Sequence, residues 1–491
     1  MNLFLLITSA LWWLRIVGNL LAYIHLWWVK ENRLDRMIVH LKTQQGKRLL
    51  FMPWRLPHLS FKSVLVGLVT LGMLIAFYLM LPGHPWLRLL VIDLATFLIT
   101  ALVVFVIGLP QALYHRLIIY LATRKLRNHR PMLVIGITGS FGKTSVKDYS
   151  ATILSTQFRV LKTEASKNSP IGIAEVILRK LDSTHEIFIV EMGAYKKGEI
   201  RQMAQMVLPQ IGVITAINAQ HQDLFGTIEN TMRAKYELLQ NLTGKRLAIL
   251  NADNEFTRTM GKWARRDRLN LWWYGPDTWD KVARPTERMF LASRVSASSD
   301  KVKFTCQVGR EKATVSVPVL GAHQASNLLA AIATSVAAGM ALPGAAGAAG
   351  KIIGSAKVMQ PVAGVNGALF INDTFNNNPD AAVAALKFLS LSKGKKILVF
   401  QPMIELGNYS RVSHEKVGEY AANVCDEIIL TNRNFYADVE RGINRARRHI
   451  PLNILSAGEA AARLSKLVGK GDTVLFKGKE AEQVLMALRK N

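Results

Sequence analysis

Three stretches near the start of the chain are too apolar for the surface of a water-soluble fold. Residues 3–28 are interrupted by Arg15, Asn19 and His25, Val64–Leu81 carries no charge, and Leu89–Leu109 has only Asp93 near its start. A helix needs about 20 predominantly apolar residues to cross the hydrocarbon core, so each is a candidate span. The polar residues and the tryptophan pairs at 12–13 and 27–28 would also suit a first helix lying in the interface. A cleaved signal peptide fits badly, because the stretch has no basic start and no small-residue cleavage site.

From Pro131 the pattern changes to buried-strand runs separated by helical periods. Met132–Thr138, Ile187–Glu191, Ile211–Ile217 and Leu247–Asn251 read as strands of a parallel sheet with helices on both faces. Residues 288–318 alternate instead, as in Val302–Val308 and Ala313–Val317, and predict a small antiparallel insert. Ala337–Gly354 reads as a helix and a soft hinge. A second series follows at Ala368–Asn372, Lys396–Gln401, Glu427–Thr431, Asn453–Ser456 and Thr473–Phe476. The organisation predicted is a membrane region over 1–110, a basic amphipathic helix over 111–130, and α/β domains over 131–355 and 356–491.

Charge refines this picture. The 491 residues carry 62 Lys and Arg against 34 Asp and Glu, a net +28 that points to a polyanion. The basic residues cluster beside the apolar spans: Lys30, Arg33, Arg36, Lys42, Lys47, Arg48 and Arg55, then Arg116, Arg124, Lys125, Arg127 and Arg130. The connector Pro82–Pro85 has no Lys or Arg, so the positive-inside rule puts the 29–61 loop and everything after 110 in the cytoplasm. Much of the charge then serves membrane lipids, and no basic-aromatic nucleic-acid module is visible. Two cysteines, Cys306 and Cys425, exclude a disulfide framework and suit a reducing compartment.

The strongest chemical signal is Thr138-Gly139-Ser140-Phe141-Gly142-Lys143-Thr144-Ser145, between a buried strand and a helix. Backbone N–H groups of such a loop cradle phosphates, Lys143 neutralises phosphoryl oxygens, and the hydroxyl of Thr144 or Ser145 reaches Mg²⁺. The usual Walker spacing wants glycine where Ile137 stands, so the loop is a variant.

That variant resembles the loop of the Mur ligases, and further segments match the family in order. Thr163–Gly172 contains the Asn168 loop; Glu191-Met192-Gly193, Asn218-Ala219-Gln220-His221, Ala234-Lys235-Tyr236-Glu237 and Asn251-Ala252-Asp253 follow. Then come Gly321-Ala322-His323-Gln324-Ala325-Ser326-Asn327, Asn372–Pro379, Glu405-Leu406-Gly407 with His414, and Lys477-Gly478. Within the family the resemblance is closest to the MurF type, which adds D-alanyl-D-alanine to a cell-wall precursor. It covers residues 131–491.

The resemblance implies a P-loop central domain and a C-terminal Rossmann-like domain that use ATP and Mg²⁺, with two ions expected. Gly139, Ser140, Gly142, Lys143, Thr144, Ser145, Asn327, Asn372 and Asp373 are expected at ATP, and Thr144, Glu191 and His221 at metal. Lys143, Lys235 and His221 are expected to be catalytic, with Lys235 a site of carbamylation in many relatives. Asn168, Asn376, Asn378 and Lys477 are expected at the substrate. Asn376 and Asn378 would equally serve as turn residues before Pro379, and His414 as a plain helix residue.

Departures bear on the substrate. Asn372 and Phe375 replace an acid and a tyrosine, and Ala356-Lys357 a Gly-Arg. Gln401-Pro402 replaces Gly-Asp, and Lys479-Glu480 a Ser-Arg. Membrane helices stand where the family has its UDP-sugar domain. The expectation is a ligase of the inner membrane with cytoplasmic catalytic domains, joining an amino acid or dipeptide to the carboxylate of a cell-envelope precursor or polymer. A true D-alanyl-D-alanine-adding enzyme is one alternative; an ATP-binding scaffold of an envelope-synthesis complex is another.

Overall fold

The computed structural model describes residues 3–490 apart from 31, 33, 42–53, 130–131, 165–166, 195, 219–224, 299, 376, 405 and 447. The chain divides into two compact units, Met1–Ile118 and Ile119–Asn491. The first holds helices α1 (Leu3–Val29), α2 (Leu34–Leu41), α3 (Phe61–Met80) and most of α4 (Pro85–Asn128). Among the described residues α1, α3 and α4 are long and apolar enough to cross a membrane. Trp13 meets Tyr78, and Ile24 lies against Gly67, so α1 runs antiparallel to α3. It runs parallel to α4, since Trp86 donates to Thr8 and Tyr23 meets Phe97.

Two of the polar residues that interrupt the first apolar stretch, Arg15 and Asn19, have a common destination in Asp93. Arg15 Nε lies 2.9 Å from Asp93 Oδ2, Trp12 Nε1 donates to the same oxygen at 3.2 Å, and Asn19 Nδ2 donates to Oδ1 at 3.0 Å. A charge in an apolar bundle is tolerated when it is paired and hydrogen-bonded in this way.

The expected break at 110 is absent: α4 continues through Pro110 to Asn128, so the basic stretch up to 128 belongs to α4 and is no separate helix. A proline removes one backbone hydrogen bond and can bend a helix without ending it. The division between the units falls inside α4, rather than at 110 or 130.

The second unit opens with alternating elements: β1 (Leu133–Thr138), α5 (Lys143–Leu154), β2 (Val160–Lys162), α6 (Pro170–Lys180), β3 (Ile187–Glu191), α7 (Glu199–Val207) and β4 (Ile211–Ile214). Next are α8 (Ile228–Gln240), β5 (Leu247–Asn251), α9 (Glu255–Arg266), β6 (Asn270–Pro276), β7 (Arg288–Ala297), β8 (Val302–Val308) and β9 (Glu311–Val317). Helices α10 (Gln324–Ala337) and α11 (Leu342–Ala349) close this part. The nine strands form one sheet in the order β2-β3-β1-β4-β5-β6-β7-β8-β9. Pairing is parallel up to β7 and antiparallel beyond it. The hairpins predicted at 288–318 are therefore the continuation of the main sheet rather than a separate insert.

Side-chain alternation along β1 explains the layers. Ile135 and Ile137 face a core shared with Val146, Leu328 and Ala345 of α5, α10 and α11. Gly136 faces the other way, where Leu238 of α8 packs on it. The Ala-rich α11 fills this core, with Ala345 and Ala349 fully buried, so small side chains there serve close packing instead of a hinge.

The last part comprises β10 (Gln360–Ala363), β11 (Leu369–Asp373), α12 (Pro379–Leu389), β12 (Lys396–Phe400), α13 (Ser410–Val424) and β13 (Glu427–Leu430). It ends with α14 (Tyr436–Arg445), β14 (Leu452–Ile454), α15 (Ala457–Leu467), β15 (Thr473–Lys477) and α16 (Lys479–Lys490). Its sheet has the order β10-β11-β15-β12-β13-β14, parallel except for the β10 edge. Register pairs Asp373 with Lys477 at the carboxyl ends of β11 and β15. Both cysteines are buried and free, Cys306 in β8 and Cys425 at the end of α13. Burial pushes the Cys306 thiol up to about 12 and raises that of Cys425 as well.

Candidate active site

The chain leaves β1 toward β2 and β3 on one side and returns as β4 on the other, which opens a crevice at the carboxyl end of β1. The phosphate-type loop sits there. Gly139 has φ 153°, and a Cβ on it would lie 2.0 Å from Thr215 Oγ1; Gly142 has φ 80°, and a Cβ there would lie 2.6 Å from Asn327 Oδ1. Both positions exclude a side chain, because the loop is pressed between the end of β4 and the start of α10. Gly139→Ala is expected to push the loop out of place. It should cost about 2 kcal/mol of stability or more and abolish nucleotide binding, as read by thermal unfolding with and without ADP.

Lys143 and Thr144 open α5 immediately after this loop. Lys143 Nζ donates to Ser140 O at 3.2 Å. Thr144 Oγ1 donates to Glu191 Oε2 at 3.0 Å, and Asn168 Nδ2 donates to Oε1 at 3.0 Å. Lys147, buried one turn further along α5, stands 3.4 Å from the same Oε2. Three donors on two oxygens hold the Glu191 side chain in one orientation. Lys147 was not singled out from the sequence. Its signal is its spacing, three residues after Thr144 and so on the same helix face.

Lys235 projects from α8 and is buried. Burial first, and the charge of Lys143 second, hold its amine well below the usual lysine range. Burial also lowers Lys143, with Glu191 acting in opposition. Across the cleft Lys477 Nζ lies 2.5 Å from Asp373 Oδ2, and Met359 N donates to Asp373 Oδ1 at 3.2 Å. His323 faces this pair. Its imidazole is held down to about 4, chiefly by burial, and is neutral at physiological pH.

These residues line one cleft of about 1120 Å³ between the two sheets. Of the residues predicted from sequence, Gly139, Gly142, Lys143, Thr144, Ser145, Asn168, Glu191, Lys235, Asn327, Asp373, Asn378 and Lys477 meet in it. His221, Asn376 and Glu405 lie outside the described residues. Ser140 is a correction: its N–H is given to Ala216 O and its Oγ accepts from Asn218 N, so it braces the loop instead of facing ligand. Asn372 is another, buried with its Oδ1 accepting from Thr374 Oγ1.

Asn378 proves to be both turn residue and cleft residue. Its Oδ1 caps α12 through Ala381 N and accepts from Asn218 Nδ2 across the two halves. His414 is structural: its Nε2 accepts from Met403 N at 2.9 Å and its ring stacks on Phe435. Glu480 accepts from Thr431 Oγ1 and Asn432 Nδ2, which turns its carboxylate away from the cleft.

Among the described residues no group of three or more His, Cys, Asp or Glu could hold a metal ion by itself. The donor set present is a threonine hydroxyl and a carboxylate beside a phosphate loop. It fits magnesium, which commonly binds through one or two carboxylates, water and substrate phosphates.

Residues 137–335 match the model of the Mur ligase middle domain, and residues 359–480 that of the Mur ligase glutamate ligase domain. The chain is 27% identical over 377 residues to the UDP-N-acetylmuramoyl-tripeptide–D-alanyl-D-alanine ligase of Escherichia coli (strain K12), covering 74% of this chain and 79% of that protein. Two solved structures share the fold at 24% identity. MurF from Acinetobacter baumannii has a TM-score of 0.69 and covers 77% of this chain and 81% of that one. MurF from Thermotoga maritima in complex with ADP has 0.66, with 77% and 83% covered.

Proposed function

This chain belongs to the Mur ligase family and is an ATP-dependent amide-bond-forming ligase, and we propose that it is anchored in the inner membrane and joins an amino acid or dipeptide to the carboxylate of a cell-envelope precursor. The observation that carries the reading is the convergence of Lys143, Thr144, Glu191 and Lys235 on one wall of the cleft, facing Asp373, Asn378 and Lys477 on the other. The acceptor favoured is lipid-linked or polymer-linked. The family models begin at residue 137, and before it stand three helices long and apolar enough to cross a membrane.

The chemistry follows from the residues. A carboxylate resists an amine until one of its oxygens becomes a leaving group. Its oxygen attacks the γ-phosphorus of ATP, the bond to the bridging β,γ-oxygen breaks, and ADP leaves an acyl phosphate. Lys143 balances charge on the phosphoryl oxygens during that transfer. Glu191, fixed by Lys147 and Asn168, and Thr144 would hold magnesium, which neutralises the β- and γ-phosphoryl oxygens. The amine then attacks the acyl carbon, phosphate departs, and the nitrogen loses its extra proton. Lys235 completes the electrostatics as an amine or, after reaction with CO₂, as a carbamate anion.

The test is ADP and phosphate release by the full-length protein in detergent with ATP and Mg²⁺, across a panel of amines, with and without an envelope lipid extract. Release that needs both an amine and the extract is the expected result. The relatives' own activity favours a second reading, addition of D-alanyl-D-alanine to a UDP-linked muramoyl-tripeptide; release with that pair alone would establish it. ATP binding without turnover in every mixture would leave a scaffold and sink both.

A further inference from the structure

The cleft lies at the carboxyl end of β1, and the opposite edge of the same sheet has no part in the ligase chemistry. The register sets the starts of β1 to β7 side by side, so every connection into a strand passes along that amino edge. These connections are basic. Arg159 precedes β2, Lys245 and Arg246 precede β5, Arg268 precedes β6, Arg284 precedes β7 and Arg288 opens it, and all are exposed.

The acids on the same connections are already engaged. Glu287 accepts from Arg265 and Trp273, Asp267 from Tyr236, Asp182 from Thr184, and Glu186 from Arg159 N. Lys245 and Arg246 reach the carbonyls Ala337 O and Asp267 O, which carry no formal charge. The side chains of Arg159, Arg268 and Arg284 have no hydrogen bond or ion pair among the described residues. Arg246 and Arg268 also have φ of 44° and 54°, a left-handed backbone that glycine adopts freely and arginine does not. Local backbone preference runs against arginine at both positions; what a guanidinium adds there is charge.

The chain reaches this edge from its apolar region. Helix α4 contains a stretch apolar enough to cross a membrane, and its last turns pack on the connection between α6 and β3. There Lys125 Nζ donates to Leu178 O, and His129 Nε2 lies 3.2 Å from His185 O. Ala122 and Leu126 are buried, whereas Tyr120, Leu121, Arg124 and Arg127 are exposed. A helix surface that mixes aromatic, aliphatic and basic side chains suits a lipid headgroup layer.

We propose that the amino edge of this sheet rests on the anionic phospholipid surface of the cytoplasmic leaflet. Basic side chains within a Debye length of such a surface are held by its negative potential. The cleft then opens away from the lipid. The six residues of β1, at about 3.3 Å each, set it about 20 Å off the headgroups. A lipid-linked acceptor reaches it only on an extended headgroup. The inference rests on the membrane-anchored reading and adds an orientation to it.

Hydrogen exchange of the full-length protein tests it, in nanodiscs of phosphatidylcholine alone and of an equimolar mixture with phosphatidylglycerol. Amides at 243–246, 267–269 and 284–288 should exchange severalfold more slowly in the anionic discs, and high salt should remove the difference. The loops at 139–142 and 251–254, on the cleft side, should exchange alike in both. Lys245→Glu, Arg268→Glu and Arg284→Glu together should restore neutral-disc rates in anionic discs, with ADP affinity unchanged. Equal edge rates in the two lipids would overturn the proposal on the wild-type protein alone. So would slowing confined to the cleft loops, or slowing that survives the triple substitution. The same data read the anchoring separately, because α1, α3 and the apolar part of α4 should be protected in both discs. If they are protected and the edge ignores lipid charge, the anchoring stands and this inference falls; if they exchange freely, both fall.

Discussion

Lys143→Ala should lower ATP turnover by about a thousandfold or more and leave the protein folded. The magnitude follows from the chemistry: a fixed cation against oxygens that gain charge in the transition state is worth about 4 kcal/mol. Folding should survive, because the ammonium contributes a single hydrogen bond, to Ser140 O, and its burial works against the charged form. Alanine also leaves the φ angles of Gly139 and Gly142, and hence the loop, unchallenged. ADP formation and the thermal midpoint, read on the same preparation, check the two halves of the statement. Turnover within tenfold of wild type would mean that the phosphates lie elsewhere in the cleft.

Activity should also depend on dissolved CO₂ through Lys235. Its amine is buried, sits near the charge of Lys143, and is held well below the usual lysine range. A larger share of it is therefore neutral near physiological pH, and a neutral amine adds to CO₂: the N–C bond forms, one N–H proton is released, and an anion replaces a potential cation. Removal of CO₂ should cut turnover severalfold, bicarbonate should restore it, and Lys235→Ala should lose about a hundredfold or more, a loss of roughly 3 kcal/mol. Turnover indifferent to bicarbonate would assign Lys235 to charge placement alone. The same shift has a sign in stability. The unfolded chain binds this proton below about pH 10.5, and the folded chain does so only below its depressed value. The contribution of Lys235 to stability therefore rises with pH between those two points and is smallest below the lower one.

The elements that proved legible in the sequence are those whose signal is local. The loop at 138–145 announces itself by glycine, lysine and threonine between a strand and a helix, and the structure puts it at the carboxyl end of β1. Strand runs such as Lys396–Gln401 are continuous and apolar, and they emerge within one residue of their expected ends. What escaped depends on distant partners. Pro110 reads as a boundary only when hydrogen bonding is judged locally, and α4 passes through it. The alternation at 288–318 reports antiparallel pairing correctly but not which sheet it joins, since the β6–β7 pairing settles that. Lys147 looks like one more solvated helix residue until β3 places Glu191 beside it. Ser140 matches a phosphate motif, yet Ala216 and Asn218 occupy its polar atoms.

The two buried cysteines have a practical consequence. Alkylating reagents attack thiolates, and burial keeps Cys306 and Cys425 both protonated and out of reach. The native chain is therefore nearly silent to maleimides and methanethiosulfonates without mutation. A cysteine introduced on each wall of the cleft would take up spin labels as an isolated pair. Pulsed dipolar spectroscopy could then follow the gap between the walls as ATP, acceptor and amine are added in turn.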